Sequence, residues 1–152
     1  MNKVAIIMGS KSDLEIMQKA AQFLTEHGIQ NEVFVASAHR TPQKVHDIAQ
    51  DIEANYDIVI AGAGLAAHLP GVMASLVTKP VIGVPINAAV NGLDSLLAIV
   101  QMPPGVPVAT VAINGSKNAA ILAMQILALK DPEVRKSFQE FRDIQSELKP
   151  AN

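Results

Sequence analysis

The segment VAIIMGSKSD, residues 4–13, joins a short continuous apolar run to a polar turn that contains glycine. An uninterrupted apolar run of this length is typical of a strand covered on both faces, as in a parallel sheet flanked by helices. The turn leads into a helical pattern that ends near Gly28, a common helix stop. Ser10 and Asp13 are spaced as in a capping box, which places the turn at the helix N-terminus. The segment therefore predicts a strand, a turn and a helix in that order.

Apolar runs and helical patterns alternate in the same way up to about residue 130. Four more strands are predicted, in NEVFVA (31–36), DIVIAGAG (57–64), KPVIGVP (79–85) and VPVATVAI (106–113). A series of βα units implies a parallel sheet wrapped by helices, with right-handed crossovers. The sequence shows no internal repeat and no linker, and 152 residues suit one domain with a full core. The prediction is a single α/β domain, residues 1–152, with a five-stranded parallel sheet.

The helices are predicted from apolar spacing and from their start signals. Thr41 and Pro42 are typical of a helix N-cap and first helical position. A third helix begins near Leu69, and an Ala-rich helix from Lys117 to Leu129 is expected to be buried. Residues 92–103 predict another helix with one apolar side, formed by Leu93, Leu96, Leu97 and Val100.

The segment DPEVRKSFQEFRDIQSELK, residues 131–149, predicts a long charged helix of a different kind. Its apolar stripe is narrow and consists of Val134, Phe138, Phe141, Ile144 or Gln145, and Leu148. The five βα units already supply helices for both faces of the sheet. We therefore expect this helix to pack on a neighbouring subunit, the alternative being a helix folded back on its own domain.

Composition excludes several classes of protein. The chain has no cysteine, which excludes disulfides, zinc–thiolate and iron–sulfur sites and a cysteine nucleophile. A net charge of −2 and an aromatic content of 3% disfavour nucleic-acid or anionic-membrane partners. No apolar run approaches the roughly 18 residues that a spanning helix needs, and the N-terminal residues lack a signal-peptide pattern. A soluble, cytoplasmic protein is expected.

Parallel sheets bind ligands beyond the carboxyl ends of their strands, so the loops that follow the strands are the candidate site. Five such loops are predicted, at 9–13, 37–42, 61–70, 85–92 and 113–118. They gather a set of polar side chains at one edge of the sheet: Ser10, Ser12, Asp13, Ser37, His39, Arg40 and His68. Because His39 and Arg40 are adjacent at a strand end, we expect their side chains to diverge and to take separate roles.

Each loop indicates a kind of contact. The turn at 9–13 is either a plain helix cap or a site where helix N–H groups meet an anion and Asp13 accepts hydrogen bonds from sugar hydroxyls. Residues 62–67 match a loose dinucleotide pattern, G-x-G-x-x-A, but follow the third strand and lack a ribose-binding acid further on. Small residues there more simply let a planar ligand lie against the backbone.

The remaining histidines and motifs do not indicate a further site. His27, in the last turn of a helix, and His46, beside an apolar stripe, are expected to face solvent. No histidine pair has metal-ligand spacing with a carboxylate, so no metal is predicted. The chain also lacks a P-loop and the nucleophile elbow of serine hydrolases.

Together the loops resemble those of the class I N5-carboxyaminoimidazole ribonucleotide mutases of purine biosynthesis, over nearly the whole chain. The resemblance rests on MGSKSD (8–13), SAHRTP (37–42), AGAGLAAHLPG (61–71), GVP (83–85) and GLDSLLAIVQMPPGVPVAT (92–110). It implies a three-layer αβα, flavodoxin-like fold, a homo-octamer, and a C-terminal helix that reaches a neighbour. It also implies a ribonucleotide substrate and no metal, ATP or organic cofactor. Arg40 distinguishes the mutase class from a second class, which uses carbon dioxide directly and carries Lys at that position.

The resemblance also implies roles for individual residues. His39 matches the catalytic histidine and His68 a second active-site histidine, while Ser10, Asp13 and Arg40 match substrate-binding positions. Further binding positions are expected at Ser12, Ser37, Ala38, Gly62, Ala63, Gly64, Ala67 and Leu69.

Two features depart from the family pattern, and two other functions stay open. Leu65 stands where glycine is common, which would narrow the pocket floor, and the loop at 113–118 is shorter by about two residues, which puts its contacts in doubt. One alternative is an enzyme of the same fold that carboxylates aminoimidazole ribonucleotide directly. The other is a non-catalytic nucleotide-binding module.

Overall fold

The structure, a computed structural model, describes residues 2–147 of the chain. Its centre is a five-stranded, all-parallel sheet with the strand order β2-β1-β3-β4-β5. The strands are β1 Lys3–Met8, β2 Gln30–Val35, β3 Ile58–Gly64, β4 Val81–Ile86 and β5 Ala109–Thr110. The helices are α1 Leu14–Glu26, α2 Pro42–Asn55, α3 Leu69–Leu76, α4 Leu93–Val100, α5 Ser116–Leu127 and α6 Pro132–Glu147. Short 3₁₀ turns cover Lys11–Asp13 and Val90–Gly92.

The sheet is buried on both faces, as the apolar run of β1 predicts. Val4, Ile6 and Met8 pack with α1, α5 and α6 in one cluster. Ala5 and Ile7 belong to a second cluster on the other face, with residues of α2, α3 and α4. Because successive strand residues point to opposite faces, a strand between two helical layers must be apolar throughout. The predicted three-layer αβα fold is confirmed, with the flavodoxin-like strand order.

The fifth strand is much shorter than predicted. The sequence predicts a strand over 106–113, whereas β5 spans Ala109–Thr110 and pairs with β4 alone. Pro107 has no N–H to donate to a ladder, and the chain leaves the sheet toward Asn114, whose φ is 59°. Of the predicted strand residues 106–113, Val108 alone is buried.

The apolar side of α4 does not face the sheet. Leu93, Leu97 and Val100 are 46–50% exposed, whereas Ser95 and Ile99 are fully buried. The buried Ser95 hydroxyl bonds the carbonyls of Ile86 and Gly92. The predicted stripe thus exists, but within the single chain it forms an open apolar surface.

The C-terminal helix packs on its own domain from its start to Phe141. Val134 is buried, and Phe141 lies edge-on to Phe23 of α1 with ring centroids 5.2 Å apart. Ile144, one turn further on, is 57% exposed. Packing of the helix on a neighbouring subunit stays a prediction, and the predicted helix residues 148 and 149, including the stripe residue Leu148, lie outside the described residues.

The two discounted histidines differ from each other. His46 is exposed on α2, as expected. The expectation was wrong for His27, which is partly buried. The centroid of its ring lies 4.4 Å from the ring centroid of Phe23 and 5.6 Å from that of Phe141. Its Nδ1 also lies 3.1 Å from the Ser137 hydroxyl. His27 therefore ties the end of α1 to α6, since its apolar ring face finds aromatic partners there.

Candidate active site

A cavity of about 480 Å³ opens at the carboxyl ends of β1, β2 and β3. This is the edge where the loops of a parallel sheet converge, and β1 and β3 flank the point where the strand order reverses. The cavity is lined by Gly9, Ser10, Ser12, Asp13, Ser37, Ala38, His39, Arg40, Ala63, Gly64, Leu65, Ala66, Ala67, His68, Leu69 and Ala88. Side chains that are up to 78 positions apart in sequence, from Ser10 to Ala88, thus share one concave surface.

The turn after β1 is capped, but not as a capping box. The Ser10 hydroxyl oxygen accepts hydrogen bonds from the Ser12 amide at 3.3 Å and from the Ser12 hydroxyl at 2.9 Å. This bond caps the 3₁₀ turn Lys11–Asp13, which intervenes before α1. Asp13 is the N-cap residue of α1, yet its carboxylate caps no amide of that helix. The capping-box prediction was wrong for Asp13, because the 3₁₀ turn separates the two residues.

The Asp13 carboxyl lines the cavity and is partly withdrawn from water. Burial raises the pKa of Asp13 above its usual range, since a low-dielectric environment disfavours the charged form. A partly buried carboxylate that caps no helix amide is suited to hydrogen-bond donors of a ligand.

The turn after β2 is fixed by its own side chains. The Ser37 hydroxyl oxygen accepts from the Arg40 amide at 3.1 Å and from Arg40 Nε at 3.4 Å. The Thr41 hydroxyl accepts from the Ser37 amide at 2.9 Å and donates to the Ser37 carbonyl at 3.2 Å. Thr41 is the N-cap residue of α2 as predicted, but its hydroxyl closes this turn and does not cap the helix.

Arg40 connects the loops after β1 and β2. Its guanidinium donates to the Gly9 carbonyl at 3.2 Å as well as to Ser37. A guanidinium carries five N–H donors, so donors remain for an anion in the cavity. A cation held at this edge is suited to a phosphate or a carboxylate.

The two predicted histidines meet across the cavity. His39 Nε2 lies 2.5 Å from His68 Nδ1, and the ring centroids are 4.7 Å apart. Such a hydrogen bond requires one nitrogen to carry the hydrogen and the other to accept it. His39 and Arg40 thus take different partners, while their separate roles stay a prediction.

Gly62 is not part of the cavity wall, contrary to the sequence-based expectation. It lies within β3, and a Cβ added there would fall 2.4 Å from Met17 Sδ. The glycine admits the side chain of α1 to the sheet, so its role is packing. The loose dinucleotide pattern beginning at Gly62 is explained by this close approach and by the small residues after it.

Two lining residues, Gly9 and Ala88, were not among the expected binding positions, whereas Leu65 and Ala66 belong to the small-residue loop that was expected to line the pocket. Gly9 lies inside a loop that the sequence does indicate. Ala88 follows β4 and carries no chemical signal. The loop at 113–118 contributes no residue to the lining. The side-chain oxygen of Asn114 in this loop accepts a hydrogen bond from the backbone amide of Asn87 at 2.9 Å.

Two observations concern metals and membranes. Among residues 2–147, no three His, Cys, Asp or Glu side chains converge in a way that could hold a metal ion. In the same part of the chain, no helix has the length and apolarity needed to cross a membrane.

Comparison with known proteins gives one consistent result. A family model described as AIR carboxylase matches residues 3–147. The N5-carboxyaminoimidazole ribonucleotide mutase of Methanocaldococcus jannaschii is 59% identical over 140 residues, covering 92% of this chain and 88% of the relative. The mutase of Escherichia coli K12 is 50% identical over 149 residues, covering 95% and 88%. The crystal structure of Treponema denticola PurE has a TM-score of 0.88 at 30% identity, covering 95% of this chain and 92% of that one.

Proposed function

This chain belongs to the AIR carboxylase family, and on that premise we propose that it converts N5-carboxyaminoimidazole ribonucleotide into 4-carboxy-5-aminoimidazole ribonucleotide in purine biosynthesis. The relatives from M. jannaschii and E. coli bear the name of this mutase. The observation that carries the proposal is the cavity in which the hydrogen-bonded pair His39 and His68 faces the same space as Arg40 and Asp13.

The lining residues divide into groups that suit the parts of a ribonucleotide. Arg40 pairs with the phosphate through its free N–H donors, and Ser10 and Ser12 add hydroxyl groups. Asp13 accepts hydrogen bonds from the ribose hydroxyls. The planar aminoimidazole lies against the small residues of the third loop, Ala63, Gly64, Ala66 and Ala67, beside Ser37, Ala38 and Leu69.

The reaction moves a carboxylate from the exocyclic nitrogen to C4. When the N–C bond breaks, its electron pair returns to nitrogen, which takes up one proton, and carbon dioxide is released. C4 then attacks carbon dioxide, the new C–C bond forms, and the hydrogen on C4 leaves as a proton to restore aromaticity. One proton enters and one leaves, so a single acid/base group serves both steps.

His39 is the proposed acid/base group. An imidazole suits proton transfer in both directions near neutral pH. Its 2.5 Å contact with His68 gives the ring a fixed orientation and a partner that can accept or supply a hydrogen. His68 also lies at the cavity wall, where it can orient the moving carboxylate. Confinement makes the second step effectively unimolecular, which accounts for a large part of the rate.

One experiment distinguishes the mutase from its rivals. Purified protein is incubated with N5-carboxyaminoimidazole ribonucleotide in EDTA without ATP, and in parallel with aminoimidazole ribonucleotide and bicarbonate. The mutase forms product rapidly from the first substrate and only slowly from the second at low bicarbonate. Faster carboxylation in the second arm would establish the direct carboxylase, and nucleotide binding without turnover in either arm would establish a binding module.

We further propose a homo-oligomer, with the octamer as the expected state. The support is the open apolar surface of α4, formed by Leu93, Leu97 and Val100, together with Val90, which is 68% exposed. Beside it, the buried Asp94 Oδ1 has no hydrogen-bond partner within residues 2–147. A second copy of the chain would cover the apolar surface.

Light scattering after size exclusion tests the assembly. Leu97→Glu should reduce the particle mass, whereas Leu129→Glu, at an exposed leucine away from α4, should not. A particle of monomer mass for the unmodified chain would contradict the proposal. Truncation after Lys130 tests whether α6 reaches a neighbouring subunit, since an unchanged assembly would count against that contact. We also propose the cytoplasmic location that the sequence predicts.

A further inference from the structure

The cavity contains one residue whose backbone and side chain are both unusual. Leu65, at the end of β3, has a φ of 57°, in the left-handed region that favours glycine. It is also 56% exposed, although it is a large apolar residue and lines the cavity.

The backbone conformation at Leu65 has a local function. The Leu65 carbonyl accepts a hydrogen bond from the Ala67 amide at 2.9 Å, and the Ala66 carbonyl accepts one from the His68 amide at 2.7 Å. These two tight turns carry the chain from β3 to His68. Glycine would adopt this conformation without steric cost, so the turn alone does not account for a leucine.

The side chain stands out among its neighbours. Apart from His68, the other residues of the third loop that line the cavity are the small residues Ala63, Gly64, Ala66 and Ala67, and Leu69, which is 98% buried. Within the described lining, Leu65 is therefore the large apolar group that a ligand can still cover. Its position between the small-residue wall and His68 places it beside the space assigned to the aminoimidazole.

We propose that Leu65 is a positioning and retention residue: its side chain covers the bound aminoimidazole and keeps the released carbon dioxide in the cavity until C4 is carboxylated. This inference rests on the proposed function and extends it to a residue that contacts substrate without exchanging protons. An active site that is closed to water prevents the escape of a reactive intermediate. The side chain contributes most after the N–C bond has broken, when the two fragments are no longer joined.

Three variants separate the side chain from the backbone. Leu65→Ala removes most of the side chain but keeps the steric strain of a positive φ. Leu65→Gly removes the side chain and also that strain. Leu129→Ala is the matched control, because Leu129 is a leucine that is 74% exposed and lies outside the cavity lining. Leu65→Gly should melt about 2–4 °C above Leu65→Ala, as expected when left-handed strain is relieved in a domain of this size.

The deciding assay follows the carboxylate. The substrate is labelled with ¹³C in its carboxylate and converted in unlabelled bicarbonate, with spontaneous decomposition measured in the absence of protein. The wild type and Leu129→Ala should retain the label in the product. Both Leu65 variants should release about tenfold more aminoimidazole ribonucleotide per product formed, as expected when an exposed leucine no longer covers the ligand.

The outcomes are distinguishable. Equal label retention in all variants, with normal turnover, would overturn the role of Leu65 and leave the proposed function standing. Failure of the wild type to form product would overturn the proposed function and this inference together. A lower kcat in the Leu65 variants with full label retention would also refute retention, since it would indicate a purely structural effect.

Discussion

Gly62→Ala tests most sharply whether Gly62 belongs to the site, as its sequence context suggests, or to the core. The added Cβ would lie 2.4 Å from Met17 Sδ and 2.9 Å from Met17 Cε, whereas carbon and sulfur atoms normally stay at least about 3.5 Å apart. Met17 has a flexible side chain but is fully buried in the cluster under α1, so any shift of Sδ and Cε takes place among packed neighbours. Overpacking of this kind costs about 1–3 kcal/mol, which lowers the melting temperature of a chain of this length by about 2–12 °C.

The assay combines thermal unfolding with kinetics well below the melting temperature, at one protein concentration throughout. Gly62→Ala should lower stability and leave kcat and KM within about twofold, because the methyl group points into the core. Gly9→Ala is the control, since no atom lies within 4 Å of a Cβ placed there, and its stability should change by less than about 0.5 kcal/mol. Combining Gly62→Ala with Met17→Ala should show a favourable coupling of at least about 0.5 kcal/mol. Unchanged stability with a raised KM would refute the packing role.

Three further substitutions follow from the site. Arg40→Ala should raise KM by about 10–150-fold, the value of a charged hydrogen bond, while the exposed Arg142→Ala should not; equal KM values would remove Arg40 from the anion site. His68→Asn should lower kcat by about 10–100-fold, as expected when a hydrogen bond that positions the charged carboxylate in transit is lost, with product affinity unchanged. A wild-type kcat would contradict the role of His68. Because burial raises the pKa of Asp13, the folded state holds that proton more tightly, and stability is lost as pH rises from about 4. Asp13→Asn should therefore unfold at a higher temperature than the wild type at pH 7 but not below pH 4, and should bind ribonucleotide more weakly; lower stability at pH 7 would refute the burial argument.

Much of the fold is contained in local patterns of the sequence. The continuous apolar run of β1 is what a strand between two helical layers requires, and Thr41–Pro42 locates the start of α2. The strand-end rule then places His39 and His68 at one edge of the sheet, although they are 29 residues apart. These inferences succeed because they depend on periodicity and on the geometry of parallel sheets.

The sequence does not predict a residue's role where that role depends on a contact between distant parts of the chain. The pattern around Gly62 suggests a binding loop, whereas the structure places Met17 beside it. The position of His27 at a helix end suggests exposure, whereas Phe141 packs on its ring. The apolar spacing of α4 does not reveal which side meets the sheet, because Ile99 fits over Gly83 while Leu97 stays outside. Tertiary contacts of this kind leave no local pattern.

The central claim is that His39 transfers the protons of a mutase reaction in this cavity. It is tested by measuring the turnover of N5-carboxyaminoimidazole ribonucleotide and the product affinity of His39→Asn, with the exposed His46→Asn as control. His39→Asn should lose about 10²–10⁴-fold in kcat and bind product within a few-fold of the wild type, while His46→Asn should be unaffected. Wild-type turnover by His39→Asn would contradict the role of His39 in proton transfer.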